Sequence, residues 1–223
     1  RANNMPYQIV VGALAANGKK ASYSSAGSPI WISATGGESG HTYPAMITPD
    51  QEGCNRGYSR SSSITNQFEN NTNNLNNNCN YTSTMNGTSS ATPSISGAVA
   101  LMLEANDNLT WREVKHILAT TAEKVDKNLR PVTISITNGD NYTAEQGWIT
   151  NAAGYNFHNW YGFGRVNIDN ATRMARVWGG KGQLGNFKKC NFVTSSPNTK
   201  IPSNSNGVID NLTIADNLTI EAV

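Results

Sequence analysis

The chain has 223 residues, and its 17 Lys and Arg residues against 15 Asp and Glu give a formal net charge of +2 at pH 7. That length suffices to bury a substantial core, and a charge so close to balance gives no electrostatic footprint for nucleic acid or for an anionic membrane surface. Charged residues are only 14% of the sequence, so neutral amides and hydroxyls must form most of the polar surface. This composition favours a secreted or extracytoplasmic protein over a cytosolic one.

Two short apolar runs near the start of the chain predict β-strands. Residues 8–14 (QIVVGAL) are almost continuously apolar, as in a strand buried on both faces of a parallel sheet. Residues 30–34 (IWISA) predict a second strand, which Gly36 and Gly37 end. No apolar run reaches the roughly 18 residues of a membrane-spanning helix, and the first residues have no signal-peptide core. We therefore expect an α/β protein without a membrane span in this chain, and we expect both ends to be edges of a longer protein.

From about residue 39 to residue 80 the sequence predicts a long polar loop region. Residues 70–78 (NNTNNLNNN) contain almost nothing to bury and predict an exposed insertion, with a prion-like or glycan-binding tract as the alternative. Cys54 and Cys79 flank this insertion, and with Cys190 they form an odd set that permits at most one pair within the chain. We expect a disulfide between Cys54 and Cys79, which would reduce the freedom of the loop. The alternative is two unpaired thiols, and the partner of Cys190 stays open.

Three helices are predicted after this loop region. Residues 89–105 are apolar around the whole circumference, which predicts a core helix. Thr110 and Glu113 have the spacing of a capping box at the start of a second helix. Its apolar stripe predicts a surface helix with one buried face formed by Val114, Ile117 and Leu118. Residues 168–177 predict a third helix.

Turn signals divide the rest of the chain. Residues 131–136 and 147–150 flank an Asn-Gly-Asp sequence at 138–140 and predict a hairpin. After Gly179 the composition shifts to Gly, Ser, Asn and Pro, which indicates a linker. We place one domain at residues 1–178, the linker at 179–205 and the start of a β domain at 206–223, where Leu-Thr-Ile occurs twice.

The residues with the clearest chemistry lie at 86–93 (NGTSSATP), where the polar loop meets the predicted core helix. A Ser at a helix N-terminus has an N–H with no intrahelical acceptor and lies at the positive end of the helix dipole, so it can serve as a nucleophile and oxyanion donor. Gly87 lets the backbone approach closely, and we expect Pro93 to fit because the first turn has no acceptor for its missing N–H. The alternative is that Thr88 and Ser89 only cap the helix.

Residues 87–93 fit the pattern Gly-Thr-Ser-x-Ala-x-Pro at every fixed position, and this is the nucleophile motif of the subtilisin-like serine protease family. Residues 20–28 (KASYSSAGS) resemble the Ala-Ser-Phe-Ser-Ser-x-Gly connection of that family, and residues 161–169 (YGFGRVNID) resemble the segment that leads into its last helix. Residues 103–113 (LEANDNLTWRE) resemble the kexin or proprotein-convertase branch. Residues 211–223 are similar to the opening strands of the β-sandwich domain that follows the protease in that branch.

The resemblance implies a three-layer α/β fold with a largely parallel sheet, present here as a partial domain, and hydrolysis of peptide bonds in polypeptide substrates. It makes Ser89 the nucleophile and its N–H an oxyanion donor, with an assisting hydroxyl from Thr88. Asn86 and Gly87 would border the leaving-group side of the cleft. The catalytic Asp, the catalytic His and the oxyanion Asn of the family all precede the strand matched by residues 8–14, so we expect them before Arg1. We therefore expect this chain alone to be inactive, and we expect a monomer.

Other candidate residues fit a catalytic or metal role less well. His41 lacks the His-Gly-Thr context of the family and is expected in a solvated loop. His116 lies off the apolar stripe of its helix and is expected to be exposed there, and His158 is expected to be a packing or hydrogen-bonding residue. The resemblance makes calcium a candidate cofactor without assigning its ligands, and Asp50 and Glu52 are only weak candidates. The alternative function is a catalytically degenerate member of the same fold that acts as a binding or surface-display module.

Overall fold

The computed structural model describes residues 3, 5–38, 44–60, 66–135, 141–179, 184–186 and 200. The predicted β domain at 206–223, most of the linker, His41 and Cys190 lie outside these residues. The strands are β1 (Val10–Leu14), β2 (Ile30–Thr35), β3 (Met46–Pro49), β4 (Tyr81–Met85), β5 (Val132–Ser135), β6 (Asn141–Glu145), β7 (Ile149–Thr150) and β8 (Asn156–Phe157). The helices are α1 (Thr88–Ala105), α2 (Trp111–Thr121) and α3 (Ile168–Val177).

The core forms where α1 and α3 pack beside the parallel pair β1–β2. Val11 pairs with Ile32 and Ala13 with Ala34, so that both strands present apolar side chains to the helices. The other described strand pairs, β3–β4, β5–β6 and β7–β8, are antiparallel. The described residues therefore form an α/β structure, and its buried apolar cluster draws on β1, β2 and all three helices.

Helix α1 buries one face only. Its buried residues are Ala91, Ile95, Ala98 and Met102, a spacing of three and four residues that defines a single stripe. On the two flanks of this stripe, Leu101 is 46% exposed and Leu103 is 37% exposed. The prediction of a helix buried all round is therefore wrong for the described residues, because the fully buried residues of α1 form a single stripe, with Val99 and Ala105 partly buried against the same core.

Helix α2 begins with the predicted capping box. The Thr110 hydroxyl accepts a hydrogen bond from the Glu113 N–H at 3.4 Å, and the Glu113 carboxylate accepts one from the Thr110 N–H at 2.7 Å. Val114, Ile117 and Leu118 are buried, as the stripe predicts. None of the helices in the described part of the chain is long and apolar enough to cross a membrane.

The predicted hairpin has a different second strand. Residues 132–135 pair with Asn141–Glu145, whereas Ile149–Thr150 pairs with Asn156–Phe157. The apolar run at 147–150 is the stronger local strand signal, but β6 is the segment that directly follows the turn and so closes the shorter loop.

A tight turn at residues 159–164 lies between β8 and α3 in the chain and is hydrogen-bonded to β2. The Phe163 N–H donates to the Trp31 carbonyl at 2.9 Å, and the Ser33 N–H donates to the Gly164 carbonyl at 2.8 Å. Gly162 has φ of 63°, and a Cβ there would lie 2.4 Å from the carbonyl carbon of Trp31. The turn therefore requires glycine at this position, and it fixes where α3 enters the core.

Candidate active site

Ser89 is the second residue of α1, and its side chain is exposed. Strand β4 ends at Met85, so Asn86 and Gly87 alone connect the strand to the helix. The N-cap residue is Gly87, with φ of 111° and ψ of 168°, and no side chain caps the helix. The alternative that Thr88 and Ser89 serve as helix caps is therefore wrong, since both belong to the first turn itself.

The N-terminus of α1 leaves the backbone of Ser89 available to a ligand. The Ser90 N–H donates to the Gly87 carbonyl at 2.9 Å, and the Ala91 N–H reaches the same oxygen at 3.4 Å. Among the described residues the Ser89 N–H has no hydrogen-bond acceptor. The first turn carries no acidic side chain, so no carboxylate within that turn neutralises the positive end of the helix dipole.

Pro93 lies further inside the helix than we expected. It is the sixth residue of α1, and the acceptor for its missing N–H would be the Ser89 carbonyl four residues earlier. The argument that the first turn has no such acceptor is therefore wrong. Pro93 instead removes the i→i−4 hydrogen bond that would otherwise occupy the Ser89 carbonyl.

The hydroxyl of Tyr23 ties the end of β2 to the residue that precedes α1. It lies 2.9 Å from the Gly36 carbonyl oxygen and 2.7 Å from that of Gly37, so it can donate to either one. It also accepts a hydrogen bond from the Gly87 N–H at 2.9 Å. The Gly87 N–H additionally reaches the Gly36 carbonyl at 3.1 Å.

The same corner holds a buried carboxylate. Glu38 is 8% exposed and accepts hydrogen bonds from the Ser22 N–H and, at 2.9 Å, from the Ser22 hydroxyl. Burial raises the pKa of the neighbouring Tyr23 phenol, the Gly87 N–H lowers that pKa, and the negative charge of Glu38 raises it again. The net rise keeps the Tyr23 hydroxyl protonated and able to donate at neutral pH.

The long polar loop region is closed by a disulfide. Cys54 and Cys79 are bonded to each other, with their Cα atoms 4.9 Å apart. The Asn-rich insertion is mostly exposed, but Asn76 is 3% exposed and is held in place by hydrogen bonds. Its amide donates to the carbonyls of Phe68 and Tyr81 at 2.9 and 2.7 Å, and it accepts from the Tyr81 N–H at 3.0 Å. One asparagine of the tract therefore holds the loop in place five residues before β4 begins.

Asp50 organises the loop on the other side of the disulfide. Its carboxylate accepts backbone hydrogen bonds from Gln51, Tyr58 and Ser59 at 2.7 to 2.8 Å. Burial acts to raise the pKa of Asp50, but these backbone N–H groups outweigh it and hold the pKa below its usual value. The described residues contain no group of three or more His, Cys, Asp or Glu side chains that could hold a metal ion.

Two of the three histidines lie in the described part of the chain, and neither is hydrogen-bonded to Ser89. His116 is partly buried rather than exposed, and its ring packs against Tyr155 and Trp178. His158 is fully buried, and its Nδ1 accepts from the Trp160 N–H at 2.9 Å.

Burial favours the neutral form of His158. Its Nε2 is buried and has no hydrogen-bond partner among the described residues. Burial lowers the pKa of His158, and the smaller opposing effects of Glu145 and Asp126 do not reverse the shift. This neutral histidine packs among aromatic rings, as expected of a packing or hydrogen-bonding residue.

The structure brings Asn86, Gly87, Thr88 and Ser89 together at one corner, and no described carboxylate or histidine is hydrogen-bonded to the Ser89 hydroxyl. Tyr23 and Glu38 also belong to this corner, although the sequence analysis did not assign them to it. The available signal was the tyrosine within residues 20–28, a segment that resembles a family connection, where the family pattern has phenylalanine.

Comparisons with known proteins show which family this chain resembles. The chain matches the model of the Subtilase family over residues 2–164. It is 38% identical over 177 residues to the Aeromonas extracellular serine protease of Aeromonas sobria, an alignment that covers 78% of this chain and 28% of that protein. It is 35% identical over 86 residues to proprotein convertase subtilisin/kexin type 6 of Rattus norvegicus, covering 39% of this chain and 8% of that protein.

The fold agrees with the sequence comparison. The crystal structure of the serine protease of Aeromonas sobria is similar with a TM-score of 0.70 at 42% identity, over 77% of this chain and 30% of that one. The chain therefore spans less than a third of the length of these relatives.

Proposed function

The chain belongs to the subtilase family, and from that premise we propose that it carries the nucleophile of a serine endopeptidase. The proposal rests on two features of Ser89, its exposure and its N–H, which is unpaired in the described part of the chain. Its side chain is exposed on the first turn of α1, and its N–H has no acceptor among the described residues. A serine hydroxyl beside an unpaired N–H at a helix N-terminus can attack a carbonyl and then stabilise the resulting oxyanion.

In the proposed reaction the Ser89 Oγ gives its proton to a histidine supplied by another part of the full-length protein, and forms a bond to the scissile carbonyl carbon. The electron pair of the carbonyl moves onto its oxygen, which accepts a hydrogen bond from the Ser89 N–H. When the C–N bond breaks, the leaving amine takes the proton from the imidazolium, and water then hydrolyses the acyl-enzyme. The similarity to convertases favours cleavage after basic residues, and we expect the acidic pocket residues that set this preference to lie mostly before Arg1.

The chain in this proposal is one part of the catalytic domain, within a three-layer fold whose sheet is largely parallel. The exposed leucines of α1, Leu101 and Leu103, support this arrangement because apolar side chains of that size are normally covered by packing. Residues 206–223 would begin a β-sandwich domain, and the full-length protein would be a secreted monomer acting on polypeptides. The family resemblance makes calcium a candidate cofactor of the full-length protein, with no ligands assigned.

Fluorophosphonate labelling tests this function, because the reagent reacts with an activated serine hydroxyl. We expect the full-length protein to be labelled and the isolated chain to be unlabelled, since loss of triad members removes on the order of a millionfold in turnover. Ser89→Ala should abolish labelling. Ser90→Ala is the matched control, because the Ser90 hydroxyl is the adjacent one and is buried.

Two results would contradict the proposal in different ways. A folded full-length protein that is not labelled would support the alternative of a degenerate binding or surface-display module. Labelling of the isolated chain that disappears in Ser89→Ala would mean that this chain contains its own general base, and the assignment of that base to another segment would be wrong.

A further inference from the structure

Among the described residues, Tyr23 is the one whose side chain is hydrogen-bonded to the backbone of Gly87, the N-cap residue of α1. Its hydroxyl accepts from the Gly87 N–H at 2.9 Å and lies within donating distance of the Gly36 and Gly37 carbonyls. These residues come from separate parts of the chain, because Tyr23 and Gly87 are 64 positions apart. A phenol hydroxyl can donate once and accept at the same time, so this position uses both of its capacities.

The conformation of Gly87 determines where the Ser89 N–H points. Gly87 has φ of 111°, a region that L-residues rarely adopt, and its carbonyl accepts from the Ser90 N–H at 2.9 Å. The first turn, which contains the Ser89 N–H, is therefore tied to Gly87 through the N–H groups of Ser90 and Ala91. An oxyanion donor must be held in its productive direction before the reaction, because a displacement of about 1 Å can cost on the order of a hundredfold in rate.

We infer that Tyr23 is a positioning residue for the nucleophile corner: its hydroxyl holds the Gly87 peptide, and through it the Ser89 N–H, in the direction needed by the oxyanion. This inference rests on the proposed function. The packing supports it, since a Cβ added to Gly36 would lie 2.8 Å from the Gly87 carbonyl oxygen and 2.9 Å from the Tyr23 hydroxyl. The corner is therefore tightly packed on the Gly36 side, while the Tyr23 side chain as a whole is 38% exposed.

The substitution Tyr23→Phe removes the hydroxyl and keeps the ring. The Gly87 N–H retains its longer hydrogen bond to the Gly36 carbonyl at 3.1 Å, so the fold should survive. We expect kcat of the full-length protein to fall roughly tenfold while KM is unchanged. The reason is that the lost hydrogen bond orients the Ser89 N–H, which stabilises the oxyanion of the transition state and not the bound substrate. A peptide boronate should lose affinity by a similar factor.

Tyr142→Phe is the matched control. Tyr142 is 59% exposed on β6, and its hydroxyl has no hydrogen bond among the described residues. This variant should keep kcat, KM and boronate affinity. Tyr161→Phe is a second control, because the Tyr161 hydroxyl accepts from the Lys20 N–H at 3.1 Å inside the core. It should lower the thermal midpoint without changing kcat of the molecules that remain folded.

Amide hydrogen exchange of residues 86–91 gives a readout that does not need activity. Faster exchange in Tyr23→Phe than in Tyr142→Phe, together with the selective loss of kcat, would support the inference. Unchanged kcat and unchanged exchange in a labelled, active protein would overturn the role of Tyr23 and leave the proposed function standing. If the full-length protein itself is not labelled, the proposed function fails, and the exchange comparison alone decides whether Tyr23 orders the corner.

Discussion

The disulfide between Cys54 and Cys79 offers the most quantitative test of the loop architecture, and the change is replacement of both residues by alanine. The two cysteines are 25 positions apart, and closing a loop of that length in the unfolded chain is worth about 3.5 kcal/mol at 25 °C in the loop-entropy treatment. The loss should therefore be about 3 to 4 kcal/mol in the free energy of unfolding, with a further small contribution because Cys79 is fully buried.

Urea unfolding followed by tryptophan fluorescence measures this quantity, with and without a reductant. We expect the reductant to destabilise the wild-type protein by nearly the full amount and to leave the Cys54→Ala/Cys79→Ala variant unchanged, which makes the variant its own control. Two results would refute the reasoning that the bridge acts by restricting the unfolded loop. One is a difference below about 1 kcal/mol between the free energies of unfolding of the wild-type protein and the variant, and the other is equal sensitivity of both proteins to the reductant.

Three further substitutions follow from local geometry. Gly162→Ala should lower the free energy of unfolding by about 2 to 4 kcal/mol in chemical denaturation, because the new Cβ would meet the Trp31 backbone and the φ angle is unsuitable for alanine; a stable variant would mean that the turn can rearrange. Thr110→Ala should cost about 1 kcal/mol through loss of the capping box, whereas Thr120→Ala, an exposed threonine late in the same helix, should stay within about 0.5 kcal/mol of wild type. Because the folded pKa of His158 lies below that of the unfolded chain, the unfolded state takes up the proton first, and stability should be complete above about pH 6.5 and decline as the pH falls toward the folded pKa. Between pH 7 and pH 5 the thermal midpoint should decline less steeply in His158→Gln than in the wild-type protein. An equal decline of the thermal midpoint in both proteins would contradict the predicted loss of stability at low pH.

Several elements could be predicted because their signals lie in adjacent residues. The two apolar runs became β1 and β2, and the capping box of α2 is present as the spacing of Thr110 and Glu113 indicated. Helix α1 begins one residue before its predicted start. Each of these signals depends on hydrophobic period or cap chemistry within one turn or one strand, which a short stretch of sequence contains in full.

Other features depended on what packs against a segment. Local sequence cannot tell a helix buried all round from one that is buried on a single stripe, so the exposure of Leu101 and Leu103 came only from the structure. The same holds for Asn76, which lies in a tract that predicts an exposed loop but is buried by contacts to Phe68 and Tyr81.

The nucleophile corner combines both kinds of information. Residues 87–93 predict a nucleophile at Ser89 from sequence alone, because that chemistry requires a short motif at the start of a helix. The surroundings of that serine are different: Tyr23 reaches Gly87 across 64 positions, and only the pairing of β1 with β2 and the packing of α1 on that pair bring the two together. Contacts of that range arise from the summed packing of many elements, so they belong to the tertiary structure and have no local pattern in the sequence.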